Sequence, residues 1–197
     1  MQDVETDSYW SLMKSAAIAG SELGTKMQEL PYGKKMRWRD WIAQHPETLV
    51  LSVDGREDGR DGYKGYFLSP EGYRGLFAND KRMRTKEPVF AFHYKGRAYA
   101  IAQKKLKNGA MFDVGEASLF LYRAPKSKMF ESTVAFIAEN DEFVRRDGKW
   151  RTASGLVFNP ESKTFEKNDK SELRVFTGFD TFWYNWSLNN PQTEVLK

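Results

Sequence analysis

The chain has no cysteine among its 197 residues, which excludes disulfides, thiolate zinc sites, iron–sulfur clusters and a cysteine nucleophile. Histidine is scarce: there are two, His45 and His93, and neither has a second His or Cys at ligand spacing, so no metal is expected. Long apolar runs are also missing, and no stretch approaches the roughly 18 residues that span a membrane. The opening residues, Met1 to Asp7, are acidic where a secretory signal is basic, so no targeting address is read. Charge of one sign does not dominate, with 31 Lys+Arg against 27 Asp+Glu and a net charge of +4. A local basic bias at 26–39 and 81–86 therefore reads as solvated surface and not as a nucleic-acid site. Gly-x-Ser-x-Gly and phosphate-binding glycine patterns are absent, so no nucleotide or other cofactor is implied.

What is present is one phrase written twice. Trp38-Arg-Asp-Trp41-Ile-Ala-Gln-His45-Pro46-Glu-Thr48-Leu-Val50-Leu51 returns as Trp183-Tyr-Asn-Trp186-Ser-Leu-Asn-Asn190-Pro191-Gln-Thr193-Glu-Val195-Leu196. The spacing is identical and six residue types coincide, two of them Trp, so the phrase is read as the mark of an internal duplication. In the first copy Trp38, Trp41 and Ile42 at i, i+3 and i+4 share one helical face, the two Trp of the second copy keep the i, i+3 spacing, and the helix should stop before Pro, where the α region is disfavoured. Trp38, Trp41, Pro46 and Thr48, with Trp183, Trp186, Pro191 and Thr193, are taken as structural anchors of the repeat. The rival reading of the four indoles is a stacking platform for sugars or bases.

Strands are expected at 48–53, 89–94, 97–101, 118–122, 133–138, 143–146, 155–159, 164–167 and 173–177. Short helices fit only 103–106 and the two Trp phrases. The fold class is mainly β (α+β), with antiparallel strands, a few short helices and an internally duplicated unit whose first copy is incomplete. Residues 1–53 form the back portion of a first unit, 54–85 an aromatic and Gly-rich connection, and 86–197 a complete second unit, together one compact body.

These phrases resemble a bacterial family called domain of unknown function 3179. The resemblance rests on Met1-Gln-Asp3-Val-Glu-Thr6-Asp-Ser8-Tyr-Trp10, the small-residue run Ala16 to Gly20, the Trp38–Leu51 phrase, Asp80-Lys-Arg82-Met-Arg-Thr-Lys86-Glu87-Pro-Val89, Arg97-Ala98-Tyr99, and Phe182-Trp183-Tyr-Asn-Trp186. It covers nearly the whole chain. It implies further sequence ahead of the point equivalent to Met1, including a Cys-containing stretch whose thiol or selenol chemistry no residue here can perform. Export is also implied for relatives.

Within the family-like phrase, Asp80, Arg82 and Lys86 form a close polar group, followed on a hairpin by Arg97 and Tyr99. These five are the ligand-contact candidates, with a salt-bridged structural cluster as the alternative. His45 reads as a turn contact at a helix end. Paired acid catalysis could draw on Asp80, Glu87, Glu139, Asp141 or Glu142, but with 27 acids in the chain such groupings are unavoidable. The leading expectation is a non-catalytic module that binds an unidentified small ligand or protein partner. The rivals are a hydrolase acting on a polar substrate such as a glycan through two carboxylates, and a scaffold for a redox centre carried by other sequence.

Overall fold

The computed structural model describes residues 1–28, 33, 35–51, 62–167, 170–171, 173 and 175–197. The architecture is mainly β with antiparallel pairing dominant. In chain order, β1 (Tyr9–Ser11) and β2 (Ala16–Ala19) pair antiparallel, and α1 (Trp38–Gln44) and α2 (Lys64–Leu68) follow. A hairpin then forms from β3 (Pro88–Tyr94) and β4 (Arg97–Ala102), and a meander from β5 (Ala110–Val114), β6 (Ala117–Tyr122) and β7 (Val134–Ala138). A second meander runs through β8 (Phe143–Arg146), β9 (Lys149–Thr152), β10 (Val157–Asn159), β11 (Thr164–Lys167) and β12 (Lys170–Ser171). The chain closes with β13 (Phe179–Phe182), α3 (Trp183–Asn189) and β14 (Glu194–Val195). β13 joins the free edge of β3 antiparallel, and β14 joins the free edge of β4 in parallel.

Strand alternation arranges these pieces in layers, because successive side chains of a strand leave opposite faces of its sheet. On β3 and β4, Val89, Ala91, Ala98 and Ala100 face α3 and pack with Trp183, Tyr184 and Trp186. Their neighbours Phe90, Phe92, Tyr99 and Ile101 face the other way, onto Val114, Leu119, Leu121, Ala135 and Ile137 of the β5–β7 sheet. That middle sheet is itself covered on its far face, where Phe120, Tyr122, Phe136 and Ala138 meet Phe143, Leu156, Phe158 and Phe165. All six residues of β6 are consequently buried, which explains why Ala-Ser-Leu-Phe-Leu-Tyr carries no polar alternation.

Three expectations need correction. Residues 48–51 form no strand, since a strand needs a neighbour to satisfy its backbone and no described residue pairs with them; 52–53 fall outside the described residues. Among the described residues of 173–177 there is a single bridge, Val175 to Phe136, with Phe176 N–H donating to Ala135 O at 2.9 Å. The chain then turns at Gly178, where a Cβ would stand 2.6 Å from the Phe90 ring, and enters β13. Helix is not confined to 103–106 and the Trp phrases: α2 and 3₁₀ turns at Leu12–Lys14 and Tyr73–Gly75 are added. No helix among the described residues is long and apolar enough to cross a membrane.

Candidate functional site

The five ligand-contact candidates do not converge on one cleft. Asp80 and Arg82 close on each other, with Arg82 Nη2 2.5 Å from Asp80 Oδ2 and Arg82 Nε 2.9 Å from the same oxygen. The Arg82 guanidinium holds the Asp80 carboxyl below the usual carboxylate range. Asp80 O accepts from Trp183 Nε1 at 2.9 Å, so this pair sits at the start of α3. Lys86 donates to Tyr66 O and Ser69 O and lies over the Tyr66 ring, which ties α2 to the loop before β3. Arg97 is exposed at the tip of the β3–β4 hairpin, whereas Tyr99 is buried and stacked on Phe92 at 5.2 Å.

The 85–87 backbone performs a capping task that no pattern announced. Trp183 N–H donates to Glu87 O and Tyr184 N–H to Thr85 O, both at 2.9 Å, satisfying first-turn donors that α3 cannot bond internally. The Glu87 side chain is buried beside them, with Lys104 and Arg84 each 3.0 Å away. Burial pushes its carboxyl up, and the two cations outweigh that and hold it below the ordinary value of 4.5. Its ionised form therefore contributes stability that is present above that value and is lost as pH falls through the depressed one. Urea titrations between pH 7 and pH 3 should show Glu87→Gln about 1–3 kcal/mol less stable than wild type at neutrality, with the gap closing on acidification. A gap that persists unchanged at pH 3 would show that the ion pairs are not its source.

Acid catalysis needs a carboxyl pushed upward. Of the proposed acids, Asp80 and Glu87 are pushed down by their cations, and Asp141 is pushed down chiefly by Ser154, against burial. Glu139 accepts from the Tyr94 hydroxyl at 3.3 Å. The buried carboxyl that moves up is Asp180 on β13, in the wall of a groove of about 1020 Å³ between α1 and β7. Burial raises it, opposed by Thr133 and Arg123. Its oxygens accept from Thr133 N, Thr133 Oγ1, Gln103 Nε2 and Arg123 Nη1 at 2.5–3.2 Å. Hydrogen bonds from these partners favour the carboxylate and oppose the upward push of burial. Among the described residues no cluster of three or more His, Cys, Asp or Glu could hold a metal ion.

The two Trp phrases fold alike and are buried differently. α1 and α3 are both seven residues long, and their C-caps His45 and Asn190 share φ/ψ of −134°/68° and −133°/69°. Thr48 Oγ1 donates to His45 O at 2.8 Å, and Thr193 Oγ1 to Asn190 O at 2.6 Å. Yet Trp183 and Trp186 are fully buried, whereas Trp38 is 54% and Trp41 36% exposed. Trp41 stacks on His45 at 4.2 Å and donates to Thr48 Oγ1 at 2.8 Å. Beyond the turn, Leu49, Val50 and Leu51 are exposed, and Leu196, the counterpart of Leu51, is in the core.

α1 is nonetheless anchored. Lys35 N–H donates to Ser132 Oγ, Ser132 N–H returns a bond to Lys35 O, and Arg37 bonds Asp40 at 2.6 Å. The face that carries Met36, Asp40, Ala43 and Gln44 lines the groove, which leaves the indoles on the side away from it. Sequence reasoning found both phrases and missed this asymmetry, because nothing within the phrase differs enough to signal it.

A family model described as "Protein of unknown function (DUF3179)" matches residues 1–193. No curated protein and no solved structure matches the chain.

Proposed function

The chain belongs to the DUF3179 family of proteins of unknown function, and from its geometry we propose that it is a non-catalytic partner-binding module whose docking face is the outer side of α1 with residues 49–51. The observation that carries this reading is the exposure of Trp38, Trp41, Leu49, Val50 and Leu51 in one short anchored stretch. Single exposed apolar residues are ordinary, but five within one short stretch of chain, two of them indoles, favour an interaction surface. Tryptophan is also the residue type most enriched among interface hot spots. Of the candidate carboxylates, Asp80 and Glu87 are engaged with cations, Asp141 with Ser154, and Asp180 with several donors.

The folded chain should bind anilinonaphthalene sulfonate saturably, in the same buffer in which it shows a cooperative thermal transition. A Trp38→Ser/Trp41→Ser/Leu49→Ser chain should lose most of that signal and keep the transition. Dye binding that survives the triple change, or that appears only where the transition is lost, would overturn the docking face.

A further inference from the structure

The partner's shape is written in the other half of the molecule. α3 buries its indoles against a surface of small side chains, Val89 and Ala91 on β3 with Ala98 and Ala100 on β4. The turn after α3 then lays β14 in parallel along the edge of β4, with Glu194 opposite Tyr99 and Val195 opposite Ala100. Leu196 N–H donates to Ala100 O at 2.9 Å, and the Leu196 side chain passes over the edge into the core behind the hairpin. Helix, Pro turn and edge strand thus act as a clasp that holds a β-hairpin by one face and one edge.

α1 with 45–51 is the same clasp, closed at the turn by the same bonds, and its two indoles are exposed. Resting on the docking face proposed above, we infer that its occupant is a β-hairpin of another polypeptide. That hairpin presents small residues, Ala or Val, at alternate positions to Trp38 and Trp41, and its second strand has a free edge for residues 49–51. Small side chains match the Val and Ala that share a cluster with the α3 indoles, beside which one larger ring of β3, His93, stands 4.9 Å from Trp186. A free edge is required because the backbone of 49–51 pairs with no strand among the described residues and its apolar side chains are exposed, and main-chain pairing is what turns such a segment into a strand. A second copy of this chain does not fit the role, since the helix-facing side of its β3–β4 hairpin is covered by α3 and the β4 edge by β14.

The inference is testable by giving the clasp the hairpin that its α3 counterpart holds. A second copy of residues 86–103 is appended ahead of Met1 of the full chain through a Gly/Ser linker of about 20 residues. Such a linker has a root-mean-square reach of roughly 25 Å and presents the hairpin at about millimolar effective concentration. A matched chain carries Ala91→Arg and Ala100→Arg in the appended copy alone. Iodide quenching reads the outcome, with the Trp38→Phe/Trp41→Phe chain defining the two indoles' share of the quenchable fluorescence. The expected result is that this share disappears in the hairpin fusion and is retained in the Arg-bearing one. Equal quenching in both fusions would overturn the hairpin, as would a concentration-dependent dimer of the unfused chain that Trp41→Ser dissolves. Either failure with dye binding intact would leave the docking face standing and remove only this occupant.

Discussion

Trp186→Ala will lower the unfolding free energy by about 3–5 kcal/mol, the cost of emptying a large aromatic site in a packed core, while Trp41→Ala will change it by about 0.5 kcal/mol or less, as surface substitutions do. The two residues hold the same place in the same phrase, so propensity, capping and turn chemistry cancel between them. Only the surroundings differ. Trp186 lies on Ala91 and Ala100, with the His93 ring 4.9 Å and the Phe179 ring 5.8 Å away. Trp41 touches His45 and the Thr48 hydroxyl, both within its own turn. The Trp186 Nε1 has no hydrogen-bond partner among the described residues, so Trp186→Phe should retain most of what Trp186→Ala loses. Urea unfolding of the four chains decides it. Equal losses at positions 41 and 186 would mean that the first clasp is filled in the free protein, and would remove the docking face as well.

Asp180→Ala will cost a comparable amount, about 3–5 kcal/mol, because it strands a buried guanidinium. Arg123 and Asp180 have side chains 4% and 5% exposed, at 3.2 Å. Burial pushes the Arg123 guanidinium down and the Asp180 carboxyl up, the signature of two charges taken out of water together. The pair is also a joint. Asp180 lies on β13, Thr133 just before β7, Gln103 just after β4 and Arg123 just after β6, and Arg123 further donates to Glu131 O and Lys128 O. Removing the carboxylate therefore frees the 128–133 loop and loosens two sheets at once. Asp180→Asn keeps the shape and some of the acceptors and should fall between wild type and Ala. A double change, Asp180→Leu with Arg123→Met, should recover part of the Ala loss, since an apolar pair leaves no orphaned charge. If Asp180→Ala unfolds within about 1 kcal/mol of wild type, the joint is not holding the sheets.

Much of the second half could be read from the residues. Alternation in Val89-Phe-Ala-Phe assigned two faces to β3, and both proved to be buried. The Pro after each Trp helix fixed where α1 and α3 end. Arg82 with Asp80 is two residues apart and equally visible. The Asp180–Arg123 joint was not, because its members are 57 residues apart and each looks like any other charged residue. Tyr99 was singled out for its place on the hairpin that follows the polar group; its burial depends on the β5–β7 sheet packing over it, which no local pattern reports. Residues 48–51 show the opposite failure. Their β-branched and apolar composition describes what the segment would pair with if a neighbour were present, and composition is blind to whether one is. The turn signals at 54–62 that framed the aromatic connection lie almost wholly outside the described residues.

The β3–β4 hairpin receives its outer strands and its helix from residues 179–195. During synthesis at about 5–20 residues per second, it waits roughly 4–16 s between its own completion near residue 102 and the arrival of those segments. For that interval the nascent chain carries a sheet with two open edges and an uncovered Val/Ala face, the very surface that a Trp clasp grips. A clasp already made, α1 with its Pro turn, has left the ribosome before it. Whether that earlier clasp holds the hairpin until α3 displaces it is a question of folding order, and ribosome-stalled chains ending near residue 150 would pose it directly through the accessibility of Trp41.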